Sequence, residues 1–172
     1  MSTNFVPGTL RAKITQIAQQ ALASGALHSL PTTYEFVEQD GLCFVVRQLA
    51  ILERKAEAQR QQEKKRTVQG VDFDPFLPYE EELYIADLGE KHVCLLNKFN
   101  VFDHHLLIVT RAFEEQEVLL NLTDFAALAH CMIEFEGFAF YNGGVVAGAS
   151  QRHKHLQYVP LPLASVGPAI PA

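Results

Sequence analysis

Apolar side chains recur at Leu10, Ile14, Ile17, Ala18, Ala21 and Leu22, a spacing that gathers them on one side of a helix, and Gly25 stands where that helix would stop. The period then shortens to two. Tyr34 to Val37 and Leu42 to Val46 are rich in strand formers and flank Gln39-Asp40-Gly41, which predicts an antiparallel hairpin closed by a tight Asp-Gly turn. From Glu53 to Arg66 charges and glutamines alternate with only Ala56 and Ala58 apolar, the pattern of a solvated helix or loop. Phe73-Asp74-Pro75-Phe76-Leu77-Pro78 predicts an irregular arm wrapped on the domain, since its prolines lack N–H donors and restrict their neighbours. Two strands follow, His92 to Asn97 and His105 to Thr110. The second is continuously apolar after its histidine and predicts a central strand covered on both faces. Thr123 is the expected N-cap of a helix that turns Phe125, Leu128, Ala129, Met132 and Phe135 inward and ends before Gly137. Phe138 to Tyr141 make a further strand, and Pro160, Pro162, Pro168 and Pro171 predict an extended tail from about residue 160.

Strands and helices do not alternate regularly along this order. The expected fold is therefore α+β, one domain over residues 1–172 with a largely antiparallel sheet, helices packed mainly on one face, and a charged excursion at about 53–70.

The chemistry concentrates between Asn142 and Gln157. His153, His155 and Gln157 fall at every second position, so an extended backbone turns all three to one face and sends Lys154, Leu156 and Tyr158 to the other. Gly143, Gly144 and Gly148 before them allow tight bending and expose N–H groups to an anion, which points to phosphate chemistry. Two alternating histidines are also ordinary zinc or copper ligands, but no third ligand is evident nearby. Asp103-His104-His105 is a weaker metal signal, because neighbouring strand histidines face opposite ways, and His105 reads as a structural or supporting residue. His130 reads as a packing histidine within a helix.

At these residues the chain resembles the histidine-triad superfamily of nucleotide hydrolases and transferases, whose signature is three alternating histidines after an Asn, a Gly-rich loop and a Ser or Gln. Gln157 in the third place resembles the transferase branch, and Gly148-Ala149-Ser150-Gln151 with Lys154 between the histidines resembles its diadenosine tetraphosphate phosphorylase (ATP adenylyltransferase) family. Asn97-Lys98-Phe99 with His105 to Val109 is similar to the family's other block, and the likeness runs from about Tyr34 to Leu163. It implies a histidine-triad-like sheet and a phosphorylase that converts a dinucleoside polyphosphate and phosphate to ATP and ADP, or the reverse. In those roles His155 maps to the nucleophile that forms a nucleotidyl-histidine, and His153 to a residue that orients the site. Asn142, Gly148, Ala149, Ser150 and Gln151 map to the loop holding non-bridging oxygens, and Asn97 and Lys98 to contacts with the nucleoside or phosphates. Gln157 can donate a hydrogen bond but cannot deliver a proton as a histidinium does, which favours leaving groups such as ATP or ADP. The alternatives are a metal-dependent phosphohydrolase and a non-catalytic nucleotide-binding protein.

Composition narrows the partners. A formal net charge of -6 over 172 residues argues against a nucleic-acid binder, which shows a basic face. Cys43, Cys94 and Cys131 are odd in number and far apart, and the first residues lack a basic, then apolar, leader pattern, so a reducing, cytoplasmic setting is expected without membrane contact. The resemblance implies nucleotide and phosphate as ligands, no covalently bound cofactor, Mg2+ only as a companion of the nucleotide, and a homodimer formed through a sheet edge. Members of that family generally continue well beyond the histidine motif.

Overall fold

The computed structural model describes residues 6–49 and 73–164; the charged excursion at about 53–70, Pro168 and Pro171 lie outside them. In chain order the elements are α1 (Leu10–Ser24), β1 (Thr32–Gln39), β2 (Leu42–Leu49), β3 (Tyr84–Leu88), β4 (His92–Leu96), β5 (Leu106–Thr110), α2 (Leu122–Glu134), β6 (Gly137–Phe140) and β7 (His155–Pro160). Among the described residues β1 and β2 pair only with each other, and the other strands form one antiparallel sheet in the order β3-β4-β5-β7-β6. The architecture is α+β, as expected.

The continuous apolar run of β5 has its reason in that order: β5 is the middle strand, and every residue from Leu106 to Thr110 is buried. One face of the sheet carries Cys94, Leu96, Leu106, Ile108, Leu156 and Tyr158 into a core with Leu10 and Ile14 of α1 and Leu128 and Cys131 of α2. The opposite face carries Val93, Leu95, Leu107 and Val109, covered by Phe76 from the proline-rich arm. Helices thus occupy one face and leave the other for a ligand. Leu10 and Ala21 anchor α1, Gly25 closes it in the left-handed conformation, and the Glu134 carboxylate at the end of α2 accepts the free Gly8 and Leu10 N–H groups at 2.8 and 3.1 Å. In the hairpin, Asp40 and Gly41 both take positive φ, 54° and 78°, the two-residue turn whose twist suits paired strands.

Three expectations need correction. The N-cap of α2 is Asn121, not Thr123: its side chain accepts from the Thr123 and Asp124 N–H groups while Asp124 accepts from the Asn121 N–H, a reciprocal box that fixes the helix start two residues earlier. The buried face of α2 is Asp124, Ala127, Leu128 and Cys131, whereas Phe125 and Met132 are 53% and 55% exposed. The helix is set by a buried carboxylate rather than by its largest apolar residues. Pro160 belongs to β7, where it faces Gly137 at the end of the ladder, so the tail starts later than about residue 160.

Candidate active site

β7 delivers the alternating residues as its period requires. His155 and Gln157 pair with Val109 and Leu107 and share their face, opposite the helices, while Leu156 and Tyr158 enter the helix-side core and Lys154 reaches Asp124 of α2. A cavity of about 320 Å³ opens on that face between the sheet, the proline-rich arm and the glycine loop. Asn97, Lys98, Gly148, Ser150, Gln151, His155 and Gln157 all line it, with Phe76, Tyr79, Leu95, Phe99 and Leu107 as apolar walls. His153, Asn142 and Ala149 are not on that wall. The Lys98 ammonium is held by Glu80 at 2.6 Å, and Asn97 bonds the His105 ring at 3.3 Å.

The two imidazoles are placed differently. His155 Nδ1 lies 2.8 Å from the His153 carbonyl oxygen, and a carbonyl can only accept, so Nδ1 carries the proton and Nε2 keeps its lone pair on the cavity side. Burial pushes the His155 imidazole below its ordinary value; the His153 carbonyl opposes that shift and the His153 ring adds to it. Burial also drives His105 down to about 4, so the ring beside Asn97 is neutral. His153 begins before β7, in a single bridge to Glu115, and both its ring nitrogens are used: Nδ1 on Asp74 at 2.7 Å and Nε2 on the Thr110 carbonyl and hydroxyl at 2.7 and 2.9 Å. The main-chain oxygen of His153, not its ring, fixes the His155 tautomer. With His153 engaged at both nitrogens, the pair has no free histidine donor set for zinc or copper, and no group of three His, Cys, Asp or Glu positioned to hold a metal occurs among the described residues.

The glycine loop is built on positive φ. Gly144 sits at φ 94°, where a Cβ would lie 2.7 Å from Glu117 Cγ, and Gly148 sits at φ 95° at the end of a short 3₁₀ turn over Val145–Ala147. This curl brings Gly148, Ser150 and Gln151 back over the cavity while Ala149 points inward and is buried.

Several residues of the site carry no motif. Asp74, Thr110 and Phe76 hold or cover the histidines, with the Phe76 ring 5.4 Å from that of His155 and 5.7 Å from that of His153. A lone carboxylate inside the apolar, proline-flanked arm was the signal available for Asp74. Gln116, Asp124 and His92 had none of their own: Gln116 bonds the His155 main chain, and Asp124 joins the Lys154 ammonium at 2.6 Å to His92 Nε2 at 2.8 Å.

Comparison with known proteins bears on this arrangement. Residues 1–172 match the model of the Ap4A phosphorylase N-terminal domain. Diadenosine 5',5'''-P1,P4-tetraphosphate phosphorylase 2 of Saccharomyces cerevisiae is 35% identical over an alignment covering 52% of this chain and 32% of that protein. Protein APA1 of the same yeast is 37% identical with the same coverage, 52% and 32%. Among solved structures, yeast Ap4A phosphorylase Apa2 superposes with a TM-score of 0.70 at 27% identity, over 94% of this chain and 50% of that one. Its complex with Ap4A gives a TM-score of 0.75 at 23% identity, over 94% of this chain and 54% of that one, and shows the same fold. The chain thus spans about a third of the length of these curated relatives, 32%, and about half of the solved chains, 50–54%.

Proposed function

The chain belongs to the Ap4A phosphorylase N-terminal domain family, and from that premise and the site geometry we propose that it carries the nucleotidyl-transfer site of a dinucleoside polyphosphate phosphorylase, converting diadenosine tetraphosphate and phosphate to ATP and ADP, or the reverse. The observation that carries the reading is His155: buried, proton on Nδ1, with Nε2 free toward a cavity walled by the glycine loop. A neutral imidazole with a fixed tautomer is a nucleophile at pH 7 without a separate base.

His155 Nε2 attacks the α-phosphorus, the bond from that phosphorus to the bridging oxygen breaks, and its electron pair leaves with ATP. An oxygen of inorganic phosphate then attacks the same phosphorus, the N–P bond breaks back onto Nε2, and ADP departs. N–H groups around Gly148 to Ser150, the Ser150 hydroxyl and the Gln151 amide face the non-bridging oxygens as charge develops. Gln157 donates to the phosphoryl group or the leaving oxygen, and Asn97 and Lys98 meet the nucleoside end. Mg2+, where present, is held by polyphosphate oxygens and water rather than by a protein cage. A homodimer through an edge strand of the five-stranded sheet belongs to the same reading, and sedimentation equilibrium tests it.

Intact-mass measurement after brief exposure to diadenosine tetraphosphate without phosphate is the test. An adenylyl-sized adduct on the wild type that disappears in His155→Ala and on addition of phosphate is the expected result. Metal-dependent turnover without an adduct, or binding of nucleotide that never yields product from the wild type, would refute it.

A further inference from the structure

The register between β6 and β7 contains a gap, and one side chain fills it. Phe140 faces Gln157, so continuing the antiparallel ladder by two residues would place Asn142 opposite His155. β6 has ended by then, and the chain turns away into the glycine loop. Gln116 occupies the split. Its Oε1 accepts the His155 N–H at 2.7 Å, and its Nε2 donates to the His155 carbonyl at 3.0 Å and to the Asn142 carbonyl at 2.9 Å. The side chain is 2% exposed and its backbone is fixed as well: on either side of the single bridge between Glu115 and His153, Gln116 N–H donates to the Arg152 carbonyl at 2.7 Å and Lys154 N–H donates to the Glu114 carbonyl at 2.8 Å.

One primary amide therefore stands where a strand would have been. It holds both main-chain polar groups of His155 and the first residue of the loop that curls over the cavity. Direct pairing of Asn142 with His155 would bring the loop a full amide width closer to the ring; loss of the amide would leave both main-chain polar groups of His155 unpaired, reduce the Asn142 carbonyl to its bond from the Gly144 N–H at 2.9 Å, and free the two parts to shift.

We propose that Gln116 is a positioning residue, setting the separation between the His155 ring and the anion-facing loop so that the phosphorus meets Nε2 in line. It touches neither substrate nor the reacting atoms. The inference rests on the reading of His155 as nucleophile, and it adds which residue fixes the geometry of attack.

Two variants test it in the intact chain. Gln116→Met keeps length and bulk but none of the three contacts; Gln116→Glu keeps the acceptor for the His155 N–H and loses both donated bonds, and it carries the same readouts if the first fails to fold. In a folded variant the adenylylation rate at saturating dinucleotide should fall on the order of 10²-fold, as an ångström-scale misplacement does, while the dissociation constant for AMP changes by less than about twofold. Nitrogen-15 NMR of His155 should pass from one Nδ1–H tautomer to a mixture, with faster exchange of its amide. An unchanged rate, or an equal fall in rate and affinity, would overturn positioning in favour of a purely structural role. If the wild type forms no adduct, the nucleophile reading falls by itself, and the NMR result still decides: an unchanged tautomer and amide in a folded variant overturns the role of Gln116.

Discussion

Lys154 stands between the two site histidines and is 0% exposed, so its charge must be met inside the protein. Its ammonium donates to Asp124 Oδ2 at 2.6 Å, to Glu114 Oε2 at 3.3 Å and to the Leu119 carbonyl at 3.3 Å. Asp124, also fully buried, takes His92 on Oδ1 at 2.8 Å and the Asn121 N–H on Oδ2 at 2.8 Å. Asp124→Leu leaves the ammonium with one longer, partly exposed carboxylate and a carbonyl; removing one partner of a buried pair costs about 3–5 kcal/mol, a large part of the roughly 5–15 kcal/mol that holds a domain together. Lys154→Met strands the carboxylate in the same way, with His92 and the Asn121 N–H as partial relief. In the double variant both charges are gone; the remaining penalty is His92 and the Asn121 N–H without their acceptor, about 1–3 kcal/mol each, still below the sum of the singles. Urea unfolding of the four proteins at pH 7, followed by circular dichroism, measures the cycle. The pair also sets limits in pH. Burial pushes the Asp124 carboxyl up, but hydrogen bonds from Lys154, the Asn121 amide and His92 outweigh it and hold it below the ordinary value. Its stabilisation is present above the unfolded carboxyl value and is lost as pH falls through the lower folded one. Burial pushes Lys154 down, while Asp124 and Glu114 outweigh it and hold it above the ordinary value, so that contribution is lost only as pH rises through the higher folded value. A single variant destabilised by less than about 1 kcal/mol, or a double variant equal to the sum of the singles, would refute the reasoning.

The other predictions concern the open face. Because burial lowers the His155 imidazole, the neutral, reactive ring persists to lower pH, and the adenylylation rate should be half-maximal below pH 6.5; a midpoint above 6.5 in a pH-jump experiment contradicts this. Phe76→Ala opens the wall against His155 and should cost about 3–5 kcal/mol in denaturant titration, with more of the adenylyl group captured by water as AMP; unchanged partition between AMP and ADP would show that Phe76 does not exclude water. Gly144→Ala forces a side chain into φ 94° and onto Glu117, so chemical denaturation should show a loss of about 1–3 kcal/mol; an unchanged midpoint would show that the loop relaxes freely.

Where spacing within a few residues decides the structure, the sequence was readable. The alternation from His155 to Tyr158, the Asp40-Gly41 turn and the apolar run of β5 each report a backbone geometry through their immediate neighbours, and each stands where its period places it. The second helix failed for the complementary reason. Phe125 and Met132 outweigh Asp124 in apolar surface, so periodicity turns them inward together with Leu128 and Phe135, of which only the last two are buried; the deciding contact comes from Lys154, 30 residues along the chain. Asp74, Thr110 and Gln116 are likewise joined to the histidine segment across separations of 79, 43 and 39 residues. No local period records such contacts. Desolvation nevertheless left one inference open: if β7 turns His155 and Gln157 to a ligand, it turns Lys154 to the helices, and a lysine there requires a buried carboxylate on the helix above it. The helix contains only two acidic residues, Asp124 and Glu134, and Glu134 lies at its far end. A polar residue at an alternating strand position thus names the kind of partner it must have on the layer it faces, and here that requirement places Asp124 on the inner side of α2 with Leu128.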